Sequence, residues 1–312
     1  MKQGFDSMLI TSGGTGGVIH APAKLNLYFE LLARCRDGYH DVETLMVPVS
    51  LYDTLSFQTI PPPSSGDVAP IHFSFRWCDR VGTESRSAVP DGEANLVVRA
   101  LLLLRQKSGV KDGAHVELLK RIPTQAGLGG GSSDAAAALL VANRLWGIDW
   151  SPDRLAELAG ALGCDIPFFI GQTPAVARGR GEQLVPMRQM GDLHAVIVRP
   201  PEGLSTAAVY GASCVPENPR TIKSFLNALP SGSLGLIKGA LHNRLEEAAT
   251  RISPWIGRLR KEFQSVHCLA HQMTGSGSGY FGICRHARQA NQLAARLRGR
   301  NLGQVFTVRR AY

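Results

Sequence analysis

The chain contains no Cys-x-x-Cys pair, and aromatic residues make up only 7% of its 312 positions. It also has no stretch approaching the roughly 18 uninterrupted apolar residues of a membrane helix. The most apolar run, 95–104, is broken by Arg99. Six scattered cysteines, Cys35, Cys78, Cys164, Cys214, Cys268 and Cys284, exclude a disulfide scaffold and read as packed thiols in a reducing compartment. Residues 1–17 lack the apolar core of a signal peptide and read as a flexible leader. With 44% hydrophobic and 19% charged residues, global disorder is excluded. The expectation is a soluble, cytoplasmic protein whose length suits two domains at roughly 150 residues each.

Acidic residues are scarce where basic ones gather. The formal charge is +9, and residues 285–312 hold seven arginines and no acid. A nucleic-acid arm is one reading. However, Ala287, Ala290, Leu293, Ala294 and Leu297 form an apolar stripe at helical spacing ended by Gly299, so the arginines read as the wet face of a surface helix. The interleaved aromatics that stack on single strands are missing, and no nucleic-acid or membrane partner is expected. His267 and His271 stand four apart, but the stretch runs into a glycine loop and reads as extended. Four extended residues span about 13 Å, too far to share one ion, so no protein metal site is expected.

Strand patterns occupy 21–32, 42–49 and 71–77, with a turn at Arg36-Asp37-Gly38 and a proline-rich loop at 61–66. Residues 78–93 read as a long polar excursion, 95–107 as an apolar-striped helix and 115–119 as a short strand. Ser151 and Pro152 mark the start of a helix over 151–162. The region 179–186 reads as a joint between domains, with boundaries expected at 18–185 and 186–312. Strands and helices mix without regular βα alternation, so the fold class is α+β rather than a doubly wound sheet.

Three features carry chemistry. Pro123-Thr124-Gln125-Ala126-Gly127-Leu128-Gly129-Gly130-Gly131-Ser132-Ser133 runs straight into an alanine-rich helical pattern. Glycines there let backbone N–H groups approach phosphate oxygens, and the helix start adds positive charge. No Lys-Ser/Thr follows, so this is not a Walker loop, and the dinucleotide fingerprint is absent as well. A second glycine loop, Thr274-Gly275-Ser276-Gly277-Ser278-Gly279, lies far along the chain. The third feature is Asp165, set before Ile166-Pro167-Phe168-Phe169-Ile170. It reads equally as a helix cap and as a partly desolvated catalytic acid. Lys24 likewise reads as an exposed strand lysine or as a charge set beside a carboxylate or phosphate.

In chain order, Pro22-Ala23-Lys24-Leu25-Asn26-Leu27, Arg36-Asp37-Gly38-Tyr39-His40, the loop 127–133, Gly163-Cys164-Asp165-Ile166-Pro167-Phe168 and Met273-Thr274-Gly275-Ser276-Gly277 resemble the GHMP kinases. The resemblance runs from about residue 18 to the C-terminus. It implies a two-domain α+β kinase with its site in the interdomain cleft. The Asp37-Gly38-Tyr39-His40 run and the triple glycine are similar to the branch that phosphorylates the 2-hydroxyl of a cytidine-diphosphate-linked polyol for non-mevalonate isoprenoid synthesis. A homoserine, mevalonate or sugar acceptor is the alternative, and a nucleotide-binding module without catalysis would lack Asp165 or Lys24.

On that resemblance, Asp165 takes the acceptor proton and Lys24 steadies the phosphoryl charge. ATP, with Mg²⁺, is wrapped by 123–133, while Asn95 and Lys120 touch the nucleoside. Tyr39 and Tyr210 sandwich the cytosine, and His40, Asn26 and Thr206 bond the rest of the acceptor together with Gly275, Ser276 and Gly277. Thr124-Gln125-Ala126 departs from the family's glycine-rich start and implies either a stiffer loop or weaker ATP binding.

Overall fold

The computed structural model describes residues 9–12, 14–78, 89–187, 190–228 and 239–311, with only the backbone described at 9–12. Two mixed layers are built on sheets of eight and four strands, in keeping with the α+β expectation. Strands β1 (Leu9–Ser12), β2 (Gly16–Arg34), β3 (His40–Ile60), β4 (Ile71–Trp77) and β5 (Gly113–Lys120) lie in the order β1-β2-β3-β5-β4. β2 and β3 are far longer than their patterns predict, because burial on both faces removes the alternation that marks strand ends.

The expected leader is partly structure: Leu9–Ser12 pairs antiparallel with Gly16–Ile19, while residues 1–8 lie outside the described residues. Most of the excursion, 79–88, lies outside them too. The expected joint, 179–186, holds the turn and second strand of a hairpin of β6 (Ala175–Arg178) and β7 (Gln183–Pro186), and β6 pairs with β3. The run of small and charged residues at 178–182 is its turn.

Helix α1 (Leu96–Ser108) buries the predicted stripe, and Asn95 caps it by accepting from the Val97 N–H at 2.9 Å. Helix α2 (Gly130–Leu145) follows the first glycine loop and buries ten consecutive residues, 133–142, which explains its alanine content: small side chains let it sit close to the sheet. α3 (Pro152–Gly160) is capped by Ser151 and ends two residues before the expected Leu162. α4 (Ile166–Gly171) places Phe168 and Phe169 in the same core as α1 and α2.

The small sheet runs β10 (Ala270–Met273), β11 (Tyr280–Cys284), β8 (His194–Arg199) and β12 (Gln304–Arg309), every pair antiparallel. One of its faces packs on the middle of β2 through Ile197, Phe281 and Leu25, and the other is covered by α7 (Leu245–Ile252), α8 (Pro254–Gln264) and α9 (Ala287–Arg298). In α9 the stripe is buried as expected at Ala290, Leu293, Ala294 and Leu297, with Ala287 exposed at the start. His271 lies in β10 and meets the Tyr280 hydroxyl at 3.0 Å. No helix among the described residues is long and apolar enough to cross a membrane.

A buried carboxylate ties the two layers. Glu30 of β2 is fully buried, receives two bonds from the Arg244 guanidinium at 2.6 and 2.8 Å, and meets His242 at 3.0 Å. Burial alone would raise its pKa. The bonds from Arg244, His242 and the Arg220 N–H outweigh it and hold the carboxyl far below the usual range. A depressed folded-state pKa stabilises the fold above the unfolded carboxylate value of about 4.3 and loses that stability as pH falls toward the folded value. The melting temperature should therefore decline below about pH 4.5, and Glu30→Gln should make that decline shallower. Equal slopes for variant and parent would show that Glu30 does not drive the acid sensitivity.

Candidate active site

Lys24 and Asn26 stand two apart on β2 and so share one face, while Leu25 and Leu27 point into the core between the sheets. Lys24 is only 5% exposed, which rules out the solvated strand lysine. Its Nζ donates to Asn26 Oδ1 at 2.5 Å and lies 3.6 Å from Asp165 Oδ2. Asn26 Nδ2 donates to Thr44 Oγ1 at 2.8 Å, and Thr44 donates to the Tyr28 carbonyl at 2.6 Å. Both ends of the Asn26 amide are thus engaged, which makes it a prop for Lys24 before it is any contact to an acceptor.

Asp165 occupies the N-cap position of α4, yet its side chain makes no cap bond; it faces Lys24 with its side chain 36% exposed. Of its two sequence readings the cap is the one set aside. The carboxylate is also wetter than its apolar flank suggested, since Phe168 and Phe169 turn into the core.

The two glycine loops, some 150 positions apart, close on each other. The Ser278 and Gly279 N–H groups donate to the Gln125 and Ala126 carbonyls at 3.1 Å each. Gly127 has φ +68°, and a Cβ there would overlap the Thr274 carbonyl. Gly129, with φ +70°, touches the Phe169 ring and the Lys24 stem, and the Lys24 N–H donates to the Leu128 carbonyl at 2.9 Å. Only glycine combines that conformation with so close an approach.

Beneath the first loop Lys120 bridges Asp53 at 2.5 Å and Asp134 at 2.7 Å, all three buried. Burial alone would lower the Lys120 pKa, but the two carboxylates outweigh it and raise it. Asp53 also accepts from the Arg121 and Ile122 N–H groups at 2.5 and 2.9 Å. Lys120 reaches the cleft floor from this cluster, so its first task is to brace the loop.

A cleft of about 960 Å³ joins these parts. It is lined at one end by Lys120, residues 122–132 and Leu96, and at the other by Tyr39, His40, Thr206 and Tyr210, with Lys24, Asn26, Asp165, Gly275, Ser276 and Gly277 between. Two expected contacts do not line it. Asn95 spends its side chain on the cap of α1 and on the Pro90 carbonyl. Ser133 turns inward on α2, and its buried Oγ has no hydrogen-bond partner.

Thr206, at the start of α5 (Thr206–Gly211), shares a bond with Ser276 at 2.9 Å. Tyr210 packs edge-on to Phe29 and lies 5.4 Å from the His40 ring. Burial, with Arg34 second, lowers the His40 pKa, leaving a neutral ring with one donor and one acceptor. Sequence reasoning missed Arg34 and Arg180 on the walls, and Asn243, which donates to the Met273 and Gly275 carbonyls at 2.8 and 2.9 Å. Arg180 had a faint signal, an arginine set between glycines 179 and 181; Asn243 had none.

The GHMP kinase N-terminal domain matches residues 95–172, and the GHMP kinase C-terminal domain matches 225–302. A 4-diphosphocytidyl-2-C-methyl-D-erythritol kinase from Pelotomaculum thermopropionicum is 39% identical over 93% of this chain and 96% of its own. The chain belongs to the GHMP kinases. As a member it is an ATP-dependent small-molecule phosphotransferase. The kinase of the same name from Nocardioides sp. is 37% identical over 90% of this chain and 93% of its own. A crystal structure of 4-(cytidine 5'-diphospho)-2C-methyl-D-erythritol kinase superposes with a TM-score of 0.77 at 33% identity, covering 95% of this chain and all of that one. Homoserine kinase from Cytophaga hutchinsonii, at 17% identity and a TM-score of 0.69, shares the fold, covering 96% of each chain.

Gly127→Ala tests the loop closure. The added Cβ meets the Thr274 carbonyl at a positive φ, so thermal stability should fall and the KM for ATP should rise about tenfold or more, the loss of one good backbone contact to phosphate. A folded variant with parental KM for ATP would separate this loop from the nucleotide.

Proposed function

We propose that the protein transfers the γ-phosphoryl group of ATP to the 2-hydroxyl of 4-diphosphocytidyl-2-C-methyl-D-erythritol, in the non-mevalonate route to isoprenoid precursors. The observation that carries the mechanism is the Lys24–Asp165 pair, 3.6 Å apart on the wall between the two glycine loops. In this reading Asp165 takes the proton as the acceptor oxygen bonds to phosphorus, and ADP leaves with the electron pair of the broken P–O bond. Lys24, held by Asn26, places its ammonium beside the charge on the moving phosphoryl group. Such transfers depend chiefly on positioning and electrostatics, which is what a buried, braced lysine supplies.

The triphosphate lies along 127–132, where the N-terminus of α2 offers unsatisfied N–H donors. Mg²⁺ enters with ATP and neutralises phosphate charge when bound. Ser132, on the wall at the start of α2, offers a hydroxyl oxygen of the kind a hard cation takes, whereas Ser133 is turned inward. Among the described residues no cluster of three His, Cys, Asp or Glu could hold a metal.

Tyr39 and Tyr210 take the cytosine between them, and neutral His40 meets its edge, which carries both a donor and an acceptor. Thr206, Ser276 and the flanking Gly275 and Gly277 serve the remaining polar atoms of the acceptor. The domain division falls near residue 185, after the β6–β7 hairpin. The proposed setting is the cytoplasm, consistent with free cysteines throughout the described chain.

Asp165→Asn should lower kcat by roughly 10²–10⁴ with ATP binding retained, the range for a positioned general base. Tyr210→Ala should raise the KM for the cytidine substrate about 5- to 150-fold and leave that for ATP nearly unchanged. Steady-state kinetics on both substrates reads both effects. Near-normal turnover of Asp165→Asn would remove the carboxylate from catalysis, and preference for a bare polyol would remove the cytidine assignment.

A further inference from the structure

Tyr39 is poorly secured for a ring that must receive a base. It sits on the turn between β2 and β3 with 57% of its surface exposed. A ring with that freedom has to give up rotamers before anything can stack on it, and the cost is taken from the affinity. The guanidinium of Arg180 lies over the ring, its central carbon 4.4 Å from the ring centroid.

Arg180 is itself well anchored. It stands at the tip of the β6–β7 hairpin, where the Val42 N–H donates to the Gly179 carbonyl at 2.8 Å and Arg178 pairs with Glu43 at 2.9 Å. The Arg180 N–H donates to Glu182 at 2.7 Å. Its guanidinium also pairs with the Asp37 carboxylate, whose other oxygen accepts the Tyr39 N–H at 3.2 Å. One carboxylate therefore holds both the backbone of the ring's own residue and the cation that covers the ring. Both Tyr39 and Arg180 line the cleft, as does Asp165.

We propose that Arg180 is a positioning residue for the nucleobase: it clamps the Tyr39 ring from one face so that the other is presented, already ordered, to the cytosine. This rests on the base-stacking reading above. A planar guanidinium suits the task because it stacks on an aromatic face while keeping its edge for a carboxylate. Asp37 also decides what Arg180 does not do. With its charge met by that carboxylate, the guanidinium stays with the ring rather than reaching for the diphosphate of the substrate.

The test is a double-mutant cycle read by kinetics, with melting temperatures to confirm folding. Arg180→Ala should raise the KM for the cytidine substrate about two- to fivefold, the scale of an exposed cation–π contact, with kcat and the KM for ATP near the parent values. In a Tyr39→Ala background the same change should add nothing, since the clamp has no ring to hold. An equal effect in both backgrounds would mean that Arg180 touches the substrate directly, and no effect in the parent would mean that the ring needs no clamp; either overturns the proposal alone. An unchanged KM in Tyr39→Ala itself would overturn the stacking reading, and the proposal with it.

Discussion

A lysine ammonium held almost out of water is the constraint around which the site is arranged. An unmet charge at such depth is costly, so Lys24 needs partners fixed before any substrate arrives. Asn26 supplies the first, and its amide is oriented by Thr44 and the Tyr28 carbonyl. Asp165 supplies the second, and its longer separation, 3.6 Å, leaves room on the carboxylate for another bond. The bulge in the β2–β3 register between Asn26 and Tyr28 belongs to the same arrangement. It lies just past the two polar residues, whose shared face comes from strand alternation.

The same lysine reaches the phosphate end through its backbone. Its N–H fixes the Leu128 carbonyl, and its stem packs against Gly129. The first glycine loop is thereby pinned from below by β2 and from the side by Thr274 and Gly279 of the second. Under it, Lys120 pairs with both Asp53 and Asp134, while burial and the neighbouring Asp53 push the Asp134 carboxyl up. Asp53 adds bonds to two backbone N–H groups of the chain leading into the loop. A loop of this composition would be mobile alone. Here its freedom is removed at several points, so little ordering is left to be done when a triphosphate binds.

The parts legible in the sequence are those where one short segment carries the chemistry. The loop 123–133, the stretch 163–168 and Lys24 stand out because glycine clusters and charges in apolar runs are locally unusual. Asn95 and Ser133 show the limit of that method. Both lie in the expected segments, yet helix geometry turns one into a cap and the other inward. The supporting bonds were not legible at all. Asp53 meets Lys120 across 67 positions and Glu43 meets Arg178 across 135, and neither partner's local sequence differs from that of an ordinary surface charge. The strand pairing of 175–186 was not legible for a related reason: its glycines and charges look like a linker until β3 is beside it to pair with β6.

That difference in legibility separates the two ends of the cleft. The end proposed for the triphosphate is one continuous segment folded onto a helix N-terminus, a solution that depends on backbone and needs few side chains. The end proposed for the base is assembled from the turn at 36–40, the tip at 179–181 and helix α5, each from a different part of the chain. Homoserine and mevalonate kinases share this fold at 12–17% identity with TM-scores of 0.61–0.70. A phosphate site built from backbone asks only for glycines and a helix start. A site made of side chains on separate turns changes its ligand whenever one turn changes. In the proposed function the hydroxyl to be phosphorylated meets Asp165 and Lys24, which line the same cleft. On that reading selectivity resides in how far from the catalytic pair the acceptor is gripped, and the exposed ring of Tyr39 is the proposed grip.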